Sequence, residues 1–205
     1  MIIRKEIRSR GEFNIVVRTA GRPNYFRDCI KSIRKYAPNA VIHVISDREE
    51  DYDYINKYCP DGNYYLVDKR KIERMCRTIM IQRRLFIYNF YFNLVDFDGW
   101  TLIVDDDNEM VHSVELPKDR KEIYLYKVNI GTKIIPNSKV VTFRDIDSGC
   151  IVFHRKEMIQ WSPQKGGDFF FIQAMANKYS VTYKEEVIIK VQDTPHMGRV
   201  VDKAR

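Results

Sequence analysis

Three consecutive carboxylates, Asp105, Asp106 and Asp107, follow the apolar run Trp100-Thr101-Leu102-Ile103-Val104 with no turn residue between. An apolar, β-rich run of this length reads as a buried strand, so acidic side chains are delivered to a strand end. The carboxyl ends of buried parallel strands are where α/β proteins hold ligands. Three like charges there are costly unless a cation offsets them, and carboxylate oxygens suit Mg²⁺ or Mn²⁺. Neither ion needs a full protein cage when substrate phosphates complete its shell. The triplet therefore points to metal-assisted chemistry on a phosphate-bearing substrate. A solvated turn is the competing explanation, since Asp favours turns through local backbone hydrogen bonds. An EF-hand loop fits poorly: Asp105, Asp107 and Glu109 alternate as required, but Met110 stands where that loop needs Gly.

The elements that would position these acids follow from pattern. Phe13 to Arg18 is a short apolar run stopped by Thr19-Ala20-Gly21-Arg22-Pro23, which gives a first strand and its loop. Apolar residues at helical spacing from Asn24 to Tyr36 predict a helix, and Val41 to Ile45, ending at Ser46-Asp47, a second strand. A strand, helix, strand unit of this length implies a parallel pair. Further on, the pattern predicts a short helix over 51–58, a strand over 63–67 and a long Arg-rich helix over 71–94. After the strand that ends in the acids, 122–128, 140–143 and 149–153 read as β runs and 155–161 and 169–178 as helices. A late strand or hairpin spans 181–191. The expected class is α/β, a mixed, mostly parallel sheet flanked by helices in a single domain.

Composition narrows the setting. The chain has 205 residues, enough for one domain with a substantial core and few for two enzymatic ones. A hydrophobic fraction of 44% argues for a packed globule, and no linker, low-complexity tract or repeat interrupts it. A formal charge of +7 attracts nucleotides, nucleic acid or anionic membranes without choosing among them. Cys29, Cys59, Cys76 and Cys150 are scattered, with no C-x-x-C pair and no His at zinc-site spacing, so neither structural zinc nor a redox pair is expected. The charged N-terminus lacks a signal-peptide core and no stretch is long enough for a membrane span, so a soluble, cytoplasmic protein is expected.

Taken in order, these features resemble the GT-A fold glycosyltransferases, most closely the family 2 type. Residues 14–47 (NIVVRTAGRPNYFRDCIKSIRKYAPNAVIHVISD) look like that family's opening unit, and LIVDDDNEM at 102–110 looks like its D-x-D segment. SGCIVFHRKEM at 148–158 resembles the segment lining the donor sugar, and GGDFFF at 166–171 the acidic segment before the acceptor helix. The resemblance implies a nucleotide-sugar-binding part over about 13–110 and an acceptor-side part over about 111–198. It assigns Thr19, Arg22, Asp47, Arg77, Asp105, Asp106 and Gly149 to the nucleotide sugar, and Asp107 with His196 to a Mn²⁺ or Mg²⁺ ion. Asp168 becomes the general base of an inverting enzyme, although the family often has Glu-Asp where this chain has Gly-Asp.

Such a transferase moves a sugar from a nucleotide-diphosphate donor, UDP-sugar ahead of GDP-sugar, to a hydroxyl on a glycan, protein or nucleic acid. The leaving diphosphate gains negative charge, which a metal ion and basic side chains such as Arg77, Arg83 or Arg199 would offset. Structural explanations stand beside these roles: Thr19 ending a strand, Asp47 or Asp168 capping a helix, His196 simply packing. A nucleotidyltransferase is the rival enzyme, but TAGRPN is a poor version of its Gly-rich phosphate loop. A basic nucleic-acid-binding protein is the rival of another class, and its binding would weaken steeply with salt. A D-x-D-x-T phosphatase is disfavoured because Glu109 stands two places beyond Asp107.

Overall fold

The β2–α1–β3 unit at the start of the chain forms because its apolar residues can all be buried at once. In the computed structural model β2 (Phe13–Arg18) and β3 (Val41–Ser46) pair in parallel across α1 (Pro23–Tyr36), whose Phe26, Cys29, Ile30 and Ile33 lie buried on one face. Pro23 sits in the first turn, where its missing N–H costs nothing, and Arg34 and Lys35 in the last turn suit the helix dipole. The structure describes residues 2–68, 70, 74, 92, 93, 95–161 and 166–192.

These residues form one mixed sheet of ten strands with three helices. The remaining strands are β1 (Ile2–Glu6), β4 (Asn63–Val67), β5 (Trp100–Asp105), β6 (Asn108–Met110), β7 (Glu122–Ile130), β8 (Lys133–Ile135), β9 (Ile151–His154) and β10 (Ser180–Val191). The other helices are α2 (Tyr52–Tyr58) and α3 (Gly167–Lys178). The order across the sheet is β1-β4-β3-β2-β5-β9-β7-β10-β6, with β8 on β7. From β2 the chain winds outward through β3 to β4, then returns to place β5 on the other side of β2. Thus β2 and β5 flank a topological switch point, and the crevice beyond their carboxyl ends is where an open α/β sheet can take a ligand.

The expectation of a mostly parallel sheet needs correction. Four pairings are parallel and five antiparallel. The run β4-β3-β2-β5 is parallel throughout, whereas β9 lies antiparallel to both β5 and β7. A parallel pair needs a crossover of roughly a dozen residues or more, and the described chain beyond β5 has one helix long enough to serve, α3, which leads into β10.

Other differences have local causes. β1 was not anticipated in its charged stretch; it forms by adding to the open edge of β4. The 140–143 run is a loop, with Val140 and Phe143 exposed and Arg144 at φ 69°, because among the described residues no strand lies beside it to accept a ladder. The 155–161 segment makes a single 3-10 turn (Arg155–Glu157) and then extends, since Trp161 is drawn fully into the core. There it stacks on Phe171 at 4.1 Å, while Asn93 bonds both its backbone N–H and its carbonyl. The long helix expected over 71–94 lies outside the described residues apart from isolated positions. Among the described residues no helix is long and apolar enough to cross a membrane.

The parallel half buries a polar network beneath the sheet. His43 on β3, 2% exposed, hydrogen-bonds Asn14 Oδ1 at 3.0 Å and the Tyr65 hydroxyl at 3.2 Å. Burial, with Arg155 and Lys5 adding, holds its pKa down to about 3, so the ring is neutral.

Candidate active site at the switch point

Parallel register sets the first contact. Arg18 and Asp105 are partners across β2 and β5, one residue before each strand gives way to its loop. A guanidinium closing an apolar strand has no water to turn to, and it bonds the neighbouring carboxylate in fork fashion, Nε to Oδ1 at 2.6 Å and Nη2 to Oδ2 at 2.9 Å. Nη2 also donates to Ser148 Oγ at 3.1 Å. Burial opposes the charge of Arg18, yet Asp105, Asp168 and Asp147 together raise its pKa, so it stays a cation. One buried arginine thus faces acids from β5, from the turn before β9 and from the first turn of α3.

The acidic turn is pinned on every side by backbone. Asp106 N–H donates to Arg18 carbonyl at 3.1 Å, and Gln192 N–H to Asp107 carbonyl at 2.8 Å. Met110 N–H reaches Ser32 Oγ on α1 at 2.9 Å, so the helix that covers β2 also holds β6. Between these anchors the three carboxylates diverge. Asp105 turns to Arg18. Asp106 is wholly buried and accepts from Thr19 Oγ1 at 2.7 Å, with Arg22 Nη2 on its other oxygen. Asp107 accepts from Arg22 Nη1 at 2.8 Å.

Burial, reinforced by the neighbouring acids, pushes Asp106 up to about 7 against the pull of Arg22 and Thr19. Asp107 is raised too, by burial and then by Asp105. Asp147 is raised by burial and by Asp168 and Asp105, although it accepts Gly149 N–H at 2.8 Å. Ionisable groups shifted together in this way make the acid turn a candidate functional site.

The residues singled out in the sequence divide as follows. Thr19, Arg22, Asp105, Asp106 and Asp107 meet at the carboxyl ends of β2 and β5. Thr19 is buried, and its hydroxyl spans Asp106 and the Tyr54 hydroxyl, each at 2.7 Å, so it supports the acid turn. Asp168 joins from α3 through its electrostatic effect on Arg18 and Asp147. Gly149 is buried against β5 and β10; a Cβ there would lie 2.8 Å from Ile189 Cδ1 and 3.6 Å from Ile103 carbonyl. Asp47, half-buried, directly follows β3 at the same carboxyl-end edge of the parallel strands. Arg77 and His196, like Arg83 and Arg199, lie outside the described residues.

Pattern reading missed three residues. Arg18 was visible as a charge closing an apolar run. Asp147 caps the 3-10 turn Ser148–Cys150, with Asp-Ser-Gly before an apolar strand as its signal. Asp51, 1% exposed, accepts Gly21 N–H at 3.1 Å and Ser46 Oγ at 2.7 Å, which ties the loop after β2 to the end of β3. Gly21 is in the left-handed region at φ 69°, and a Cβ there would collide with the Arg48 guanidinium.

Among the described residues no three His, Cys, Asp or Glu side chains gather into a metal-holding group. The donor set still fits a hard divalent ion at Asp107: it is a carboxylate, 19% exposed, bonded by Arg22 on one oxygen only. No protein-family model matches the chain, and no curated protein matches it.

Proposed function

We propose that the protein is a GT-A-type glycosyltransferase, metal-dependent and inverting, that takes a nucleotide-diphosphate sugar as donor and a hydroxyl as acceptor. The observation that carries this reading is the switch point beside β2, where the acids of the β5 turn meet Arg18 and Arg22 at the carboxyl ends of parallel strands, with Asp147 and Asp168 among the charged neighbours of Arg18. Asp107 would hold Mn²⁺ or Mg²⁺, which when bound supplies positive charge to the diphosphate as it departs. Asp105, locked by Arg18, and Asp106, locked by Thr19 and Arg22, keep the turn rigid so that Asp107 meets the ion in one geometry. Arg22 offers a fork of N–H donors to phosphate oxygens. Asp168, in the first turn of α3 with the buried Arg18 among its charged neighbours, would accept the proton from the attacking hydroxyl.

A donor-hydrolysis panel tests the proposal. The chain is incubated with UDP- and GDP-sugars and Mn²⁺, and release of nucleoside diphosphate is followed. Turnover of one donor, abolished by Asp107→Asn and cut roughly 100-fold or more by Asp168→Asn, supports it. Absence of turnover and of donor binding for every sugar nucleotide removes it.

A further inference from the structure

A cleft of about 530 Å³ lies between β1 and α2, within the size range of small-molecule sites. It is remote from the acid turn, since β4 and β3 separate β1 from β2 in the sheet. Tyr64 and Leu66 line it from one face of β4, and Ile3 of β1 adds an exposed apolar wall. Opposite stand Glu49, from the 3-10 turn Glu49–Asp51, and Asp53 in the first turn of α2, four residues apart. Both are exposed, and neither has an ion-pair partner among the described residues. The cation that lines the cleft is already committed. Arg4 Nε donates to Glu6 Oε1 at 2.6 Å, and its guanidinium lies 3.9 Å from the centre of the Tyr52 ring. The cleft therefore keeps two carboxylates without a counter-charge in a chain of net charge +7.

Tyr64 gives an independent sign of a ligand. The residue is 1% exposed, and its hydroxyl has no hydrogen-bond partner among the described residues. A buried hydroxyl left without a partner carries a desolvation cost that a native structure must account for. Burial and then Asp51 raise its pKa; Arg4 opposes them, while Glu49 and Glu6 add to the rise. Arg4 and Glu49 are walls of the cleft, which places the hydroxyl on the cleft side of the ring.

We propose that this cleft binds a small organic cation, an ammonium group on an aliphatic stem, of the kind carried by a polyamine or a lysine side chain. The ammonium would be attracted by Glu49 and Asp53 and donate to the Tyr64 oxygen, with its stem against Ile3, Leu66 and the Tyr52 ring. An anion would meet two carboxylates and a guanidinium already paired, and a neutral ligand would leave both carboxylates unused. The same segment faces the switch point with other residues: Asp51 holds Gly21 N–H and Tyr54 holds the Thr19 hydroxyl. Glu49 and Asp53 can therefore be changed without touching the loop that supports the acid turn.

Calorimetry at low salt tests the proposal with cadaverine as probe and pentanediol, its neutral counterpart, as control. Wild type should bind cadaverine, more weakly as salt is added, and should not bind pentanediol. The double variant Glu49→Gln/Asp53→Asn should weaken cadaverine about 5-fold or more, both acids being exposed. Tyr64→Phe should weaken it about 10-fold, and because it deletes an unpartnered group it should leave the melting temperature of the free chain unchanged or raised. Asp107→Asn should bind cadaverine as wild type does. Comparison with Nα-acetyl-lysine methylamide separates the sources, tighter binding of that probe naming a lysine side chain and tighter binding of cadaverine a polyamine. No binding of cadaverine to wild type, or equal binding of pentanediol, overturns the proposal. So does undiminished affinity in both cleft variants, or loss of binding in Asp107→Asn alone, which would put the cation at the acid turn. A clear fall in the melting temperature of free Tyr64→Phe overturns it as well, since the hydroxyl would then have a structural partner.

Discussion

Removing the guanidinium of Arg18 tests whether the crevice is held together by charge. Arg18→Met keeps the aliphatic stem and deletes a cation that faces Asp105, Asp147 and Asp168. Breaking a buried pair by removing one partner costs about 3–5 kcal/mol, because the other charge is left without compensation. Arg18 is 9% exposed but Asp105 is 34% exposed, so water takes over part of the carboxylate's loss. The expected cost is therefore near the lower end, about 3 kcal/mol at pH 7.5, or a fall of roughly 6–12 °C in Tm for a chain of this size. The sign of the pH effect follows from linkage. Asp147 already sits above its unfolded value through burial and the neighbouring acids, and losing Arg18 raises it further; a raised carboxyl destabilises above the unfolded pKa and recovers as it takes up protons. The gap between wild type and Arg18→Met should therefore narrow by about 1 kcal/mol or more between pH 7.5 and pH 5. Urea unfolding at the two pH values measures it, and Asp105→Asn in the Arg18→Met background should restore about 1 kcal/mol or more of coupling. A loss under about 1 kcal/mol at pH 7.5, or a gap that widens on acidification, refutes the reasoning.

Three further outcomes are expected. His43 is neutral in the fold, with its pKa at about 3, while an unfolded imidazole titrates near its ordinary 6.5. Protons therefore favour the unfolded chain below that value, and the stability lost between pH 7 and pH 5 should be smaller by about 2 kcal/mol in His43→Gln, read from urea midpoints. Gly99 and Gly131 both have positive φ, but a Cβ at Gly99 would collide with the Glu12 carbonyl, whereas at Gly131 it meets nothing within 4 Å. Thermal unfolding should show Gly99→Ala destabilised by at least about 3 kcal/mol and Gly131→Ala by about 1–2 kcal/mol. Trp161→Ala should cost about 3–5 kcal/mol, since the ring is fully buried and stacked on Phe171, with chemical unfolding as the readout.

The parallel half of the fold was legible because local pattern and tertiary environment agree there. FNIVVR, VIHVIS and WTLIVD are continuous apolar runs of the kind that strands covered on both faces require, and α1 keeps its helical spacing from end to end. The strand over 63–67 was found with its bounds intact for the same reason. The losses came where a partner decides the outcome. Ile2–Glu6 carries three charges in five residues and becomes a strand only because β4 offers an open edge. Val140 to Phe143 has strand composition and, among the described residues, no edge to join. At the site, the acid triplet and Thr19 announce themselves by type and by position at strand ends. What Arg18 and Arg22 do depends on which residues the β2–β5 register brings opposite them, and one-dimensional spacing carries no register. Asp147 and Asp51 were hidden because a carboxylate that caps a turn and one that shapes a site are the same residue in sequence.

Calorimetric binding of UDP and GDP to the purified chain, with and without Mn²⁺ and beside Asp107→Asn, tests the central claim most directly. Binding of one nucleotide that requires Mn²⁺ and disappears in Asp107→Asn is the predicted result. Absence of binding for both nucleotides under all conditions, or binding indifferent to Mn²⁺ and to Asp107, would contradict the account.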